Sequence, residues 1–187
     1  MTYIPKKPKI YWAGGEYYFM TNSTYLHRPY FREDEQKQLV LNFLKELQER
    51  WKISIQAYSI PMNHNHLMFY GKGENQVTFV KKFLKGNITR EYRRAWGSPG
   101  QEIWQSTRVY WIKDDGSYWR VMGYIIGNLI KHREVSTFRE LYEYPFSSFK
   151  YAVDKYGWDE AISMVKLVID VPEDAYGTVD FKKLKSL

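Results

Sequence analysis

Cysteine is absent from the 187 residues of the chain. Disulfides, thiolate zinc sites and cysteine nucleophiles are therefore excluded, and a reducing cytoplasm is the expected compartment. Long hydrophobic runs are missing too. No stretch approaches about eighteen uninterrupted apolar positions, which excludes a transmembrane helix and leaves no membrane partner to expect. Lys6, Lys7 and Lys9 have no apolar run behind them, so no secretory signal is visible. Histidine is scarce, with four in all. No internal repeat or low-complexity segment is present, and the length suits one domain able to bury its own core.

What is abundant is positive charge and aromatic surface. Lys and Arg total 28 against 21 Asp and Glu, a formal charge of +7, and Phe, Trp and Tyr make up 18% of the chain. Basic side chains attract phosphates, and aromatic faces stack unpaired bases. A basic protein with an aromatic-rich core has the same composition, so the residues must decide by position.

Residues 1–15, with their lysines, prolines and closing Gly14-Gly15, read as a basic N-terminal arm. Residues 16–24 read as an aromatic and threonine-rich strand. Over 33–50, Leu39, Val40, Phe43, Leu44 and Leu47 form one apolar stripe of a helix. Ile53, Ile55 and Ala57 alternate with polar residues in a strand over 52–60, which Pro61 ends, and 63–70 forms the next strand. Val77, Val80, Phe83, Leu84 and Ile88 point inward from a helix over 76–96. A strand over 103–112, a turn at Asp115-Gly116 and a helix over 117–132 follow. The order β-α-β-β-α-β is that of an α+β, ferredoxin-like two-layer sandwich, a central antiparallel sheet with helices on one face. A further helix is expected near 158–169.

Two of the four histidines stand at 64 and 66. Residues two apart on a strand share a face, so His64 and His66 present paired imidazoles and Asn65 points the other way. Neutral imidazoles held rigidly side by side suit a metal ion, although a solvated pair of histidines has the same spacing. On the 117–132 helix, Met122, Ile125, Ile126 and Leu129 form an apolar side. Arg120, Tyr124, Gly127, Asn128 and Lys131 lie nearly opposite, with Tyr124 and Asn128 one turn apart. A phenol can act as a covalent nucleophile and an Asn carbonyl can coordinate a metal; a helix packed on both sides would use the same residues as filler. Lys81, Lys82, Lys85, Arg90, Arg93 and Arg94, with Glu91 the acid among them, could track a phosphate backbone or be a solvated helix face. Trp96, Trp104 and Trp111 could stack bases or fill the core.

The run IPMNHNHLMF resembles the histidine motif of HUH-superfamily single-tyrosine transposases, and GYIIGNLIKH is similar to that family's tyrosine helix. FVKKFLKGNITREYRR and IWQSTRVYWI resemble its basic helix and its tryptophan-glutamine strand. EYPFSSFKYA resembles the segment after the tyrosine helix in the REP-associated tyrosine transposase branch. The likeness runs from about residue 17 to about 152. It implies a transposase domain over 16–152, followed by a C-terminal helical extension over 153–187. It also implies that His64, His66 and Asn128 bind a divalent metal, Mg²⁺ or Mn²⁺, and that Tyr124 is the nucleophile. Two positions depart from the family pattern. Asn65 replaces a bulky apolar residue, so it either finds buried hydrogen-bond partners or lies on a less enclosed strand. Leu129 replaces a proline and should let the helix continue.

The expected activity is metal-dependent nicking and rejoining of single-stranded or hairpin DNA through a 5′-phosphotyrosine. A replication initiator or relaxase would use the same chemistry, and a domesticated hairpin-DNA binder would keep only the basic helix. An HNH nuclease does not fit, because that motif spreads its residues over a ββ-helix unit. The C-terminal extension leads us to expect a monomer rather than a homodimer.

Overall fold

The computed structural model describes residues 15–98, 100, 102–173 and 179–186. Apart from Gly15, the N-terminal arm lies outside the described residues. Four strands, β1 (Glu16–Thr24), β2 (Ser54–Ser59), β3 (His64–Gly71) and β4 (Trp104–Ile112), form one antiparallel sheet in the order β2-β3-β1-β4. Helix α1 (Asp34–Glu49) joins β1 to β2, and α2 (Glu74–Trp96) joins β3 to β4. Each helix thus links two parallel strands across an intervening antiparallel one. That is the ferredoxin-like sandwich.

Alternation along the strands divides the core in two. Met20, Leu67 and Phe69 point to one face, where Val40, Leu44 and Leu47 of α1 and Val80, Leu84 and Ile88 of α2 cover them. Phe19, Ala57, Met68 and Ile112 point to the other face. A third layer covers that face. It consists of α3 (Asp115–Ile126), α4 (Asn128–Lys131), α5 (Phe138–Glu143), α6 (Phe149–Tyr156), α7 (Trp158–Val168) and α8 (Phe181–Ser186).

The helix expected over 117–132 differs in both its start and its continuity. It begins at Asp115, where the Asp114 carboxylate accepts a 2.8 Å hydrogen bond from the Ser117 N–H. It breaks at Gly127, whose backbone bends and starts α4 at Asn128. Leu129 does not preserve continuity. Glycine is a weak helix former, and here Val165 of α7 occupies the place of its missing side chain. At Gly123 the Met164 carbonyl oxygen of α7 does the same. These two glycines let α7 lie directly against α3, and on the side expected to face away from the core Tyr124, Gly127 and Asn128 are buried while Arg120 and Lys131 are half-buried.

Asn65 is buried on the α1–α2 side of the sheet. Its Oδ1 accepts from Asn22 Nδ2 at 2.9 Å, and Asn22 Oδ1 accepts from the Thr107 hydroxyl at 2.7 Å. A polar rung across three strands thus meets part of the amide's need, while Asn65 Nδ2 is left without a partner among the described residues. No helix among the described residues is long and apolar enough to cross a membrane.

Candidate active site

His64 and His66 project from β3 toward the third layer, their ring centroids 4.6 Å apart, and both are fully buried. One nitrogen of each is committed. His64 Nδ1 lies 2.7 Å from Asn63 Oδ1, and His66 Nδ1 lies 2.9 Å from the Thr21 hydroxyl. With each Nδ1–H donated there, both Nε2 atoms become acceptors turned into the pocket. Burial pushes the His64 pKa well below its usual value, reinforced by His66, His132 and His27 and partly opposed by Asn128. Burial pushes His66 down to about 3, opposed by the Glu173 carboxylate and reinforced by His132. The pair is therefore neutral, as metal-binding imidazoles must be.

Asn128, at the start of α4, places Oδ1 3.2 Å from His64 Nε2. In this amide orientation two acceptors face each other, and Asn128 Nδ2 has no partner among the described residues. A divalent cation would remove that conflict. Adjacent ligands of an octahedral ion with bonds of about 2.1 Å stand about 3 Å apart. No group of three or more His, Cys, Asp or Glu among the described residues could hold a metal ion, so the third protein donor here is the amide. Two imidazoles and an amide oxygen form a mixed set that fits Mg²⁺ or Mn²⁺.

Tyr124 reaches the same pocket from α3. Its hydroxyl lies 3.5 Å from His66 Nε2 and donates a 2.7 Å hydrogen bond to Glu173 Oε1. Glu173 arrives from the segment after α7, and its other oxygen lies 3.3 Å from His132 Nε2. Burial raises the Glu173 pKa, but His132, the Tyr124 hydrogen bond and His66 outweigh it and hold the carboxyl below its usual value. His132 itself sits 4.8 Å, ring to ring, from His64.

The sequence-expected Tyr124, His64, His66 and Asn128 thus meet in one pocket, joined by His132 and Glu173, which sequence reasoning missed. His132 had a signal, since it lies one turn beyond Asn128 on the same helical face as Tyr124. Glu173 had none.

The basic residues of α2 are not brought to this pocket. Helix α2 covers the opposite face of the sheet, and its charges spread around the helix rather than forming one stripe. Lys82, Arg90, Arg93 and Arg94 are exposed, Lys81 and Lys85 are half-buried, and Glu91 pairs with Arg90 and Arg94. Trp104 is buried, its indole N–H donating to the Lys85 carbonyl, whereas Trp96 and Trp111 are exposed. On the pocket's own face, a cleft of about 620 Å³ borders Glu173 between β4 and the C-terminal segment, lined by Arg108, Tyr110, Phe181, Lys182 and Lys183 among others.

A family model for IS200-like transposases matches residues 16–125. The chain belongs to this family. The matched stretch holds the sheet, the histidine pair and Tyr124, while Asn128, His132 and Glu173 of this transposase lie beyond it. The fold is shared with a solved REP-associated tyrosine transposase bound to a REP hairpin. That protein is 20% identical, with a TM-score of 0.59 over 92% of this chain and 93% of its own. A transposase structure from Deinococcus radiodurans is more distant, at 16% identity and a TM-score of 0.47 over 66% of this chain and 95% of its own. No curated protein matches the chain.

Proposed function

We propose that this transposase belongs to the REP-associated branch and is a metal-dependent endonuclease and strand transferase for single-stranded, hairpin-forming repeat DNA, with Tyr124 as its nucleophile. One observation carries the reading. The Tyr124 hydroxyl shares a buried pocket with two neutral imidazoles whose Nε2 atoms are both turned inward. His64, His66 and Asn128 would hold Mg²⁺ or Mn²⁺, which when bound polarises the scissile phosphate and neutralises developing charge. The Tyr124 oxygen attacks phosphorus in line, leaving a 5′-phosphotyrosine and a free 3′-hydroxyl. A second 3′-hydroxyl then attacks that adduct and rejoins the strands, so no nucleotide cofactor enters.

Hairpin DNA as partner is supported by the net charge of +7 and by the relative solved with a hairpin. Lys81, Lys82, Lys85, Arg90, Arg93 and Arg94 would hold duplex backbone on the far side of the sheet from the chemistry. Arg108, Lys182 and Lys183 would meet the strand at the cleft. The working unit is proposed to be a cytoplasmic monomer with 153–187 as its extension. The described part of that extension packs on the chain's own α3.

Labelled hairpin DNA with a single-stranded flank, taken from repeats beside the native gene, tests the reading on a denaturing gel. A covalent adduct is expected with Mn²⁺ and lost with EDTA. Tyr124→Phe should abolish it while hairpin affinity survives, and His64→Ala should lower it by about 10²-fold or more. Tight hairpin binding with no adduct under any metal would make the protein a non-cleaving binder.

A further inference from the structure

Attack by a phenol requires a destination for its proton, and the hydroxyl of Tyr124 already points at one. Its hydrogen bond to Glu173 Oε1 is 2.7 Å, whereas His66 Nε2 is 3.5 Å away and is one of the nitrogens turned toward the metal position. We propose that Glu173, supplied by the C-terminal segment beyond the family-matched region, is a catalytic residue that accepts the Tyr124 proton and returns it on rejoining. The proposal rests on Tyr124 being the nucleophile.

The surroundings of Glu173 fix it to the nucleophile's own helices. Lys131 Nζ, at the end of α4, donates to the carbonyls of Ile169 and Val171 at 2.7 and 2.6 Å and lies 3.9 Å from Glu173 Oε1. His132 Nε2 lies 3.3 Å from the other carboxylate oxygen. Residues 169–173 are thus pinned to α4. The later part of the segment is laid on the sheet instead, where Phe181 stacks on Tyr110 at 4.3 Å. Val179 bridges Glu173 and the Asp180 N–H donates to the Pro172 carbonyl at 3.0 Å, so the start of α8 is tied to the Glu173 segment as well. A largely buried carboxylate held below its usual pKa by His132, the Tyr124 hydrogen bond and His66, against the effect of burial, is an acceptor beside the attacking oxygen that bulk water does not replace.

The Tyr124 O–H bond breaks as the Oη–P bond forms, and Glu173 Oε1 takes the proton. The P–O3′ bond breaks, its electron pair stays on O3′, and water protonates that oxygen to the free 3′-hydroxyl. On rejoining, the incoming 3′-hydroxyl loses its proton to water, its oxygen bonds to phosphorus, and the departing Tyr124 oxygen recovers the proton from Glu173. Because the proton moves while the new bond forms, the acceptor need not match the free phenol in basicity.

The test compares wild type, Glu173→Gln and Glu173→Ala in single-turnover adduct formation with Mn²⁺, together with hairpin affinity and thermal melting of each. Glutamine keeps the hydrogen-bond acceptor but takes up protons poorly. Both variants should form adduct about 10²-fold more slowly, with hairpin affinity unchanged and the melting of Glu173→Gln close to wild type, and formate should restore rate to Glu173→Ala alone. Adduct at wild-type rate or faster in Glu173→Gln overturns the proposal and reduces the contact to a cover over the nucleophile. Slowing that formate does not rescue and that accompanies lower melting also overturns it, by making Glu173 a strap. If the wild-type adduct forms on a residue other than Tyr124, or not at all, the parent reading fails and takes this one with it.

Discussion

Thr21 and Asn63 are ordinary polar residues whose work is to choose a tautomer. When they accept the Nδ1 protons of His66 and His64, both Nε2 atoms are left unprotonated toward Tyr124 and Asn128. Burial then keeps the rings neutral, with a consequence for acid stability. A histidine whose folded pKa is depressed binds no proton in the native state while the unfolded chain does. Its contribution is therefore present above the unfolded value near 6.5 and is lost as pH falls toward the folded value of about 3. In chelator-treated protein, urea unfolding should show stability falling by about 1.4 kcal/mol per pH unit for His66 between about pH 6 and 4. In His66→Gln the slope should shrink by about one proton; an unchanged slope would mean the ring is hydrated and titrates normally. The histidine pair was legible from i, i+2 spacing because strand alternation is strict. Their Nδ1 partners were not, since Thr21 stands on another strand, 45 residues away.

At the scale of elements, β1, α1, β3, α2 and β4 follow their hydrophobic periodicity to within a few residues. Helix α3 does not, and the reason lies in α7. Periodicity marks Met122, Ile125, Ile126 and Leu129 as the apolar side and puts Arg120, Tyr124, Gly127, Asn128 and Lys131 nearly opposite. With Gly123 beneath the Met164 carbonyl and Gly127 beneath Val165, that opposite side is the seat of α7. Small and aromatic polar residues at a helix–helix seat carry no apolar signature, so burial on both sides is invisible to a pattern search. Gly123→Ala would drive a methyl group into backbone and should destabilise by about 1–3 kcal/mol by overpacking. Urea denaturation checks this, and an unchanged midpoint would mean that α7 is free to shift. The Tyr-Pro-Phe-Ser-Ser stretch at 144–148 has a structural task as well. Ser147 Oγ donates to the Ile126 carbonyl at the end of α3, and Ser148 exchanges backbone and side-chain hydrogen bonds with Tyr58 on the edge strand β2. It clasps α3, which carries Tyr124, to the sheet.

Across the whole molecule, the ferredoxin-like sandwich was legible from element order, and the third layer over the histidine face was not. Glu173 joins Tyr124 across 49 residues, from a segment without periodicity or motif, so nothing local announces it. A buried ion pair ties the layers together on the other side of the pocket. Lys37 of α1 pairs with Glu134 just after α4, also reaching the Tyr144 hydroxyl at 3.2 Å, while Glu134 Oε1 accepts from the Met62 N–H at 2.7 Å, two residues before His64. Lys37→Met would leave that carboxylate buried and unpaired, at a cost of about 3–5 kcal/mol. Urea unfolding measures it, and a loss below about 1 kcal/mol would show the pair behaving as a solvated surface bridge. The central claim concerns one oxygen among the seventeen tyrosines of the chain. Its most direct test is mass spectrometry of the protein–DNA adduct after nuclease trimming and trypsin digestion. The account predicts a nucleotide-bearing peptide spanning 121–131 with the phosphate on Tyr124; a phosphate on any other tyrosine would contradict it.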